Sequence, residues 1–327
     1  MMLGLRLSTQ VHGIRFLSTT ATPSPSLAQL VAQLRKETQA PIGKARAALT
    51  DNGNDYNKAL AALREAAAKT SAKVAHRTTK EGLVGVFAHV SRCGMVEINC
   101  ETDFVQRGDI FTSTVKTITN TLASGSTPPC TPAPLSLFGQ VTQPETLKVW
   151  ADDPAAGNIT PLLIESIAKC GENVQLRRIT LSPARITPSI VYGAYAHGGP
   201  DASMGRIAAL VALSVSNPVV AREKVVKLAR QVAQQVVGFA PEVVHEKDVL
   251  RTGEAAIPSE ELDSKVLYRQ PFLVGGGSVK EVLEAFEKQH GIDLNVVEFR
   301  RYVCGEGIEV KESNFAEEVL AQAGLKA

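Results

Sequence analysis

The sequence predicts an α+β protein in which a small bundle of helices precedes a larger core of helices and antiparallel strands. Near the start of the folded part, apolar residues recur at helical spacing, at Leu27, Leu30, Val31 and Leu34. Two mainly apolar runs, 82–87 and 94–100, are separated by a short connection and have the pattern of a β-hairpin. The later strands come in clusters separated by helices, which favours α+β layers over a parallel sheet.

The N-terminal bundle is predicted to hold three short helices within residues 26–68. The first runs to about Thr38, and the second ends near Gly53, where a glycine can adopt the left-handed conformation of a helix end. Asp55 can cap the third helix. A bundle this small has little core in which to build a catalytic site, so we expect it to bind a partner.

The elements of the larger region follow from apolar periodicity and from capping residues. Helices are predicted at 104–122, 159–169, 223–237, 278–289 and 314–324. Strands are predicted at 82–87, 94–100, 174–182, 190–196, 206–214 and 294–304. The helix at 278–289 has the clearest ends, because Ser278 can cap its start and Gly291 can end it.

Two polar segments separate the predicted folded parts. Residues 69–80 are rich in Lys and Arg, and are predicted to be a basic linker; the alternative is an arm that contacts RNA. Residues 124–144 carry five prolines among Ser and Thr, which predicts an extended, loosely ordered insertion.

The composition is that of a globular protein without a strong electrostatic bias. The chain has 327 residues, enough for two or three domains of about 100–200 residues each. Its net charge is only +2, so no strong field attracts it to nucleic acid or anionic lipid. One Trp and five Tyr offer little for stacking bases, and no apolar run approaches the roughly 18 residues of a membrane span. We therefore expect no membrane association and no stable nucleic-acid complex.

The cysteines and glycines do not form a recognisable catalytic or ligand site. The five cysteines are scattered without a C-x-x-C pair, so we expect reduced thiols, no metal and no cofactor. Cys100 is a candidate nucleophile, but the nearby Glu101 and Asp103 are expected to raise its thiol pKa, which disfavours nucleophilic catalysis. Gly275–Gly277 lacks the following Lys-Ser/Thr of a phosphate-binding loop and is interpreted as a flexible loop.

The first residues have the composition of an organelle-targeting presequence. No acidic residue precedes Glu37, while Arg6 and Arg15 interrupt a stretch that is otherwise apolar and rich in Ser and Thr. Residues 1–22 are predicted to be a disordered mitochondrial presequence that is cleaved near Ser18. The alternative is an ordinary disordered tail.

The segment Glu97–Val105 carries the most specific local pattern in the chain. A strand leads through polar residues into a helix, and Thr102 or Asp103 can cap that helix. Phe104 then lies at the lip of the turn. Spacing alone favours an ordinary core phenylalanine, whereas the functional alternative is an aromatic wedge presented to a partner.

The residues Val96–Arg107, VEINCETDFVQR, resemble the signature of the elongation factor Ts family. Further motifs of the family follow in the expected order, at Thr79–Val84, Gly171–Arg178, Tyr195–Gly198, Gly205–Ile207, Gln270–Leu273, Val303–Glu309 and Phe315–Val319. The resemblance covers about Leu27 to Gln322, and the presequence indicates a mitochondrial member.

The resemblance implies a specific domain organisation. Residues 26–68 are expected to be a ubiquitin-associated-like domain, residues 81–181 the N-subdomain of the core, and residues 182–327 its C-subdomain. The C-subdomain is expected to include a shortened protrusion at 240–266 and the helix at 314–324. Residues 199–203 lengthen the hairpin that follows His197.

The resemblance also implies a function without covalent chemistry. The chain is expected to be a guanine-nucleotide exchange factor for mitochondrial elongation factor Tu, with which it forms a heterodimer in the matrix. It would release GDP by displacing Mg²⁺ and distorting the nucleotide site, without a cofactor and without binding nucleotide itself. An RNA- or ribosome-binding accessory module that uses the basic linker is the alternative, and an enzyme centred on Cys100 is disfavoured.

Three groups of partner-binding residues are carried over from the family motifs. The exchange wedge comprises Thr102, Asp103, Phe104 and Val105. The C-subdomain contributes His197, Gly198, Met204 and Gly205. The first domain contributes Lys44 and Arg46, although its loop, TQAPIGKARAAL, departs from the family's usual TGAGMMDCKKAL and gives only one of the two paired lysines a basic counterpart, Arg46.

Overall fold

The computed structural model of the protein describes residues 25–38, 40–125, 136–157, 159–183, 188–249 and 258–309. The predicted presequence with its cleavage site near Ser18, much of the proline-rich segment and the predicted helix at 314–324 lie outside these residues. The chain divides into two compact units at Leu63 and Arg64. In the described parts of both units, no helix combines the length and the apolar character needed to cross a bilayer.

The described residues of the first unit form two helices and the start of a third, which continues past Leu63 into the second unit. Helix α1 spans Leu27–Thr38, α2 spans Ile42–Asp51, and α3 begins at Tyr56 and continues to Val74. Its small core consists of Leu30, Leu34, Ala45, Leu49 and Ala59. Two of these five residues are alanines, because short helices must approach closely to exclude water. Residues 69–74 of the predicted basic linker are helical and belong to α3.

The second unit contains two antiparallel sheets, which confirms the predicted α+β class. Its strands are β1 (Glu81–Ala88), β2 (Cys93–Cys100), β3 (Gly139–Val141), β4 (Gln175–Leu181), β5 (Ile190–His197), β6 (Met204–Gly205), β7 (Ile207–Val215) and β8 (Leu294–Val303). One sheet has the strand order β3-β4-β2-β1-β6 and the other has the order β5-β7-β8. The chain leaves the first sheet at Gly205 and enters the second at Ile207, so Arg206 lies at the crossing.

The described residues of the second unit also form α-helices, several of which cover the outer faces of the two sheets. They are α4 (Asp103–Gln106), α5 (Asp109–Ala123), α6 (Pro144–Asp152), α7 (Ile159–Cys170), α8 (Arg222–Phe239), α9 (Glu246–Val249), α10 (Ser259–Lys265) and α11 (Val279–His290). Phe111, Val115 and Ile118 of α5 pack against the first sheet, while α8 and α11 contribute to a separate core on the second. A third apolar cluster contains residues of both sheets, such as Met95, Leu210 and Tyr302, so the inner faces of the sheets pack together.

Two sequence predictions in this unit are wrong in detail. The single helix predicted at 104–122 is two helices, because the extended backbone of Gly108 ends the first turn and starts α5. The loosely ordered insertion predicted at 124–144 is wrong for residues 136–144. Phe138 and Val141 are buried and β3 pairs with β4, so residues after 135 belong to the core.

A buried carboxylate joins the two sheets. Glu97 on β2 has no solvent exposure, and its carboxylate accepts hydrogen bonds from Arg177 at 2.8 Å and from Arg178. The amide of Gly305, which follows β8, donates to the same carboxylate at 2.8 Å. Arg178 also donates to the Val303 carbonyl at 2.9 Å. One charged group therefore connects β2, β4 and the end of β8.

Removing the charge of Glu97 should destabilise the second unit strongly. We expect Glu97→Gln to lower its free energy of unfolding by about 3 kcal/mol, because two largely buried guanidinium groups lose their counter-charge. The only tryptophan, Trp150, is buried in this unit, so its fluorescence during urea unfolding measures the loss.

Glu306 supplies the matched control. It contacts the same Arg178 at 3.5 Å but is half exposed, so Glu306→Gln should cost less than about 1 kcal/mol. Equal losses for the two variants would show that burial of Glu97 does not set its contribution.

Candidate functional site

Phe104 lies on the surface, with 85% of its side chain exposed. The core position that spacing alone favours is therefore wrong. Helix α4 ends at Gln106 and α5 begins at Asp109, so the apolar face of α5 does not extend back to Phe104. An exposed aromatic ring on an ordered helix has apolar area available for burial against another molecule.

A single carboxylate fixes the loop that precedes Phe104. Glu172 accepts hydrogen bonds from the amides of Glu101 and Thr102, at 3.2 and 3.0 Å. The Thr102 hydroxyl donates to Glu172 at 2.6 Å and accepts from the Val105 amide at 3.3 Å, so it also caps α4. These bonds define where the short helix begins.

The other side of α4 is anchored in the protein. Val105 is partly buried against the core of the first sheet, and the Gln106 side chain is only 5% exposed. The side-chain amide oxygen of Gln106, Oε1, accepts a hydrogen bond from Arg206 at 2.8 Å. Of the four predicted wedge residues, Val105 is partly buried and the other three are exposed. Thr102 and Val105 hold the helix in place, which leaves Asp103 and Phe104 available to a partner.

Asp103 carries the charge next to the exposed ring. Its carboxylate pairs with Arg107 at 2.9 Å, one turn later, and both side chains are exposed. An exposed pair of this kind contributes less than about 1 kcal/mol, so Asp103 can exchange Arg107 for a cationic group on a partner at little cost.

The second predicted contact is the hairpin at residues 197–205, which we call the 197–205 hairpin. His197 and Gly198 are exposed at the end of β5. The Met204 side chain, in contrast, is 2% exposed and belongs to the core of the first sheet. The adjacent Gly205 is buried as well, so neither position offers surface to a partner, and both instead support the exposed His197 and Gly198.

The turn of this hairpin is braced from within. Asp201 accepts hydrogen bonds from the amide and the hydroxyl of Ser203, at 2.8 and 2.5 Å, and these bonds lower the pKa of its carboxyl below the ordinary value. The Ser203 carbonyl accepts from the Val86 amide at 2.7 Å. The hairpin is thus attached to β1 as well as to its own strands.

Glycine at position 205 is required by close packing. A Cβ atom there would lie 2.3 Å from the carbonyl oxygen of His197 and 2.6 Å from its nitrogen. A side chain at this position would push the two arms of the 197–205 hairpin apart.

In the first unit, the predicted contact residues Lys44 and Arg46 are both exposed on α2. Ile42, at the start of the same helix, is 58% exposed. Arg46 lies one turn after Ile42, so these two side chains can share one exposed face of α2. Lys44, two residues from each of them, lies on a different side of the helix.

Cys100 is unsuited to nucleophilic catalysis. Its side chain is fully buried, and burial raises the thiol pKa above its ordinary value, with a further contribution from the charge of Glu172. The predicted direction is confirmed, but the main cause is burial rather than the neighbouring acids. Burial likewise raises the pKa of Cys304 to about 12. Within the described residues, no group of three His, Cys, Asp or Glu side chains is placed to hold a metal ion.

Glu172 and Arg206 position the site, but the sequence does not predict that role for either of them. Both lie in motifs of the family resemblance, Gly171–Arg178 and Gly205–Ile207. Their partners, the loop before Phe104 and Gln106, are about 70 and 100 residues away along the chain. A single sequence carries no signal for pairings of that range.

Comparison with known proteins gives a consistent result. A family model described as Elongation factor TS matches residues 101–254. The mitochondrial elongation factor Ts of Cryptococcus neoformans var. neoformans serotype D is 33% identical, with 94% of each chain covered. The mitochondrial elongation factor Ts of Heterostelium pallidum is 30% identical over 94% of this chain and 86% of its own. The elongation factor Ts of Beijerinckia indica subsp. indica is 31% identical over 92% of this chain and 98% of its own.

Substitution of Gly205 should deform the 197–205 hairpin. We expect Gly205→Ala to lower the free energy of unfolding by about 1–3 kcal/mol, because the new methyl group overlaps the His197 backbone. The matched control is Gly238→Ala in α8, where no atom lies within 4 Å of the new Cβ and helix propensity favours alanine. Urea unfolding followed by Trp150 fluorescence measures both; a Gly205→Ala protein as stable as Gly238→Ala would contradict the packing argument.

The buried thiols should resist alkylation in the native protein. Cys93, Cys100 and Cys304 are buried with raised thiol pKa, so we expect iodoacetamide at pH 8 to modify them far more slowly than in urea. The half-buried Cys170 serves as the internal reference. Peptide mass spectrometry gives the rate for each thiol, and rapid native modification of Cys100 would revive the enzyme alternative.

Proposed function

The chain belongs to the elongation factor Ts family, and on that premise we propose that it is a guanine-nucleotide exchange factor for mitochondrial elongation factor Tu. It acts as one partner of a heterodimer in the mitochondrial matrix and makes or breaks no covalent bond. The observation that carries this proposal is Phe104, an exposed ring on a helix whose other side is fixed by buried contacts.

Exchange requires negative coupling between two ligands of the GTPase, the nucleotide and this protein. Nanomolar nucleotide binding corresponds to about −12 kcal/mol, and each tenfold loss of affinity requires about 1.4 kcal/mol of coupling. Burial of one phenylalanine supplies roughly 1.5–3 kcal/mol. A single wedge is therefore too weak, and the function needs several contacts that act together.

We assign the wedge role to Asp103 and Phe104. Phe104 enters an apolar slot of the GTPase near the Mg²⁺ site, and Asp103 brings a negative charge close to the metal. Together they displace Mg²⁺ and distort the nucleotide site, so that GDP leaves. Thr102 and Val105 keep the helix in the orientation that this insertion needs.

The remaining contacts supply binding energy at other parts of the GTPase. The exposed His197 and Gly198, supported by the buried Met204 and Gly205, hold a second region of the partner. Lys44 and Arg46 of the ubiquitin-associated-like first domain provide a cationic contact. Through the same negative coupling, the binding of GTP weakens the complex and releases the exchange factor.

The alternative, an RNA- or ribosome-binding accessory module, depends on the basic segment 69–80. In the structure Lys69 pairs with Glu65 at 2.7 Å, and Arg77 pairs with Glu101 at 3.4 Å. Part of the positive charge is thus already compensated. This alternative predicts RNA affinity that falls steeply with salt.

Phe104→Ala should separate function from stability. We expect it to slow the release of GDP that the protein stimulates by at least about tenfold, since the loss of roughly 1.5–3 kcal/mol of burial in the complex is worth one to two powers of ten. Stability should not change, because the ring is exposed in the free protein. Stopped-flow release of a fluorescent GDP from elongation factor Tu measures the rate.

Phe239→Ala is the matched control. Phe239 is another exposed phenylalanine, at the end of α8, and lies in none of the proposed contacts. The Phe239→Ala protein should stimulate GDP release from elongation factor Tu at the wild-type rate. An unchanged rate for Phe104→Ala would remove the wedge assignment, and a wild-type protein that neither binds elongation factor Tu nor accelerates release would remove the exchange function.

A further inference from the structure

Arg206 occupies the crossing between the two sheets. Gly205 before it pairs with Val84 of the first sheet, and Ile207 after it pairs with His197 and Val303 of the second. The Arg206 carbonyl accepts a hydrogen bond from the Cys304 amide at 2.8 Å. Its backbone is therefore held on both sides, within one residue of the 197–205 hairpin.

The side chain of Arg206 extends from this crossing to α4, the helix that carries Phe104. Its Nη1 atom donates to the side-chain Oε1 atom of Gln106 at 2.8 Å and forms an ion pair with the carboxylate of Glu81. One terminal nitrogen of a guanidinium carries two hydrogens, so it can serve both acceptors. Gln106 is the last residue of α4, two positions after Phe104.

These contacts give the guanidinium a fixed direction. Glu81 is the first residue of β1 and is paired in the sheet with Cys100, the last residue of β2, just before the wedge. Gln106 is almost fully buried, so its side-chain oxygen cannot rotate toward solvent without opening the packing around it. The arginine is thus held between a strand and a helix that are both ordered.

We propose that Arg206 is a positioning residue for exchange, which locks the Phe104 helix to the 197–205 hairpin so that the two partner contacts move as one body. This inference rests on the proposed exchange function and deepens it. When the hairpin and the helix are each bound to a different region of the GTPase, binding energy at one contact can distort the other only if the connection between them is stiff.

A purely structural role for Arg206 makes a different prediction. Arg206 is not in the apolar cores, and its side chain is 42% exposed, so its loss need not disturb folding. A structural defect would lower stability and all activities together. A positioning role lowers the maximal rate of GDP release while changing the concentration needed for half-maximal stimulation much less.

The test is a double-mutant cycle on the full-length protein with elongation factor Tu and fluorescent GDP. Arg206→Met keeps much of the aliphatic bulk and removes both polar links; we expect the maximal release rate to fall about tenfold, the scale of a lost charge-assisted link. In a Phe104→Ala background the same change should have almost no further effect on the rate, because there is no ring left for Arg206 to position. Multiplicative losses would overturn the proposal.

Two further variants sharpen the result. Gln106→Met removes only the link to the helix and should reproduce the rate loss of Arg206→Met; a wild-type rate for Gln106→Met would show that the link through α4 is not used. Arg269→Met removes a paired arginine, bonded to Asp263 and Glu246, that lies in no proposed contact, and should leave the rate unchanged. Trp150 fluorescence in urea verifies that each variant is folded.

The two hypotheses fail in different ways. Wild-type protein that does not accelerate GDP release refutes the exchange function itself. Wild-type acceleration combined with independent, multiplicative losses for Phe104→Ala and Arg206→Met refutes only the positioning role.

Discussion

The fold depends on one fully buried carboxylate, Glu97, and on the bulge that surrounds it. In the β2–β4 pairing, Glu97 lies opposite Arg178 while Ile98 lies opposite Leu176, so Arg177 is the extra residue of a β-bulge. Successive residues of a regular strand point to opposite faces, and the bulge is what allows two consecutive arginines to reach the same carboxylate. Because the Gly305 amide and the Val303 carbonyl complete the network, the second sheet is joined to the first by hydrogen bonds as well as by apolar packing.

The exposed Phe104 is compatible with a stable protein because the cost of exposure is confined to one residue. Thr102 and Glu172 satisfy the polar groups at the start of α4, and Gln106 is buried at its end. A four-residue helix has too few internal hydrogen bonds to persist alone, so these tertiary contacts determine its geometry. The backbone that carries the ring therefore has a defined position, so little backbone conformational entropy remains to be lost when the ring is buried in a partner.

The sequence was sufficient for the class of the fold and for most elements, and it failed where long-range contacts override local patterns. The α8 and α11 helices were predictable because their apolar periodicity and caps are local. The division at Gly108 was missed because a continuous apolar period masks a turn, and β3 was missed because neighbouring prolines suggested disorder while Phe138 and Val141 belong to the core. The position of Phe104 could be argued only from the family resemblance, since a phenylalanine at helical spacing is usually a core residue. The roles of Glu172 and Arg206 depend on partners distant in sequence, which one sequence cannot reveal.

A protein that loosens a ligand of its partner needs stiffness more than affinity at any one contact. In the proposed exchange function, binding energy gained at the 197–205 hairpin is useful only if the Phe104 helix does not yield in response. The structure provides that resistance at two levels, since Glu97 fixes the sheets to each other and the side chain of Arg206 fixes the wedge helix to the point where the chain passes between them. Both contacts use buried or half-buried charged groups, whose hydrogen bonds are directional. Apolar packing alone would permit the sheets and the helix to slide past one another. Directional polar contacts between rigid layers are thus the physical means by which binding at one surface of this core can exert a force at another.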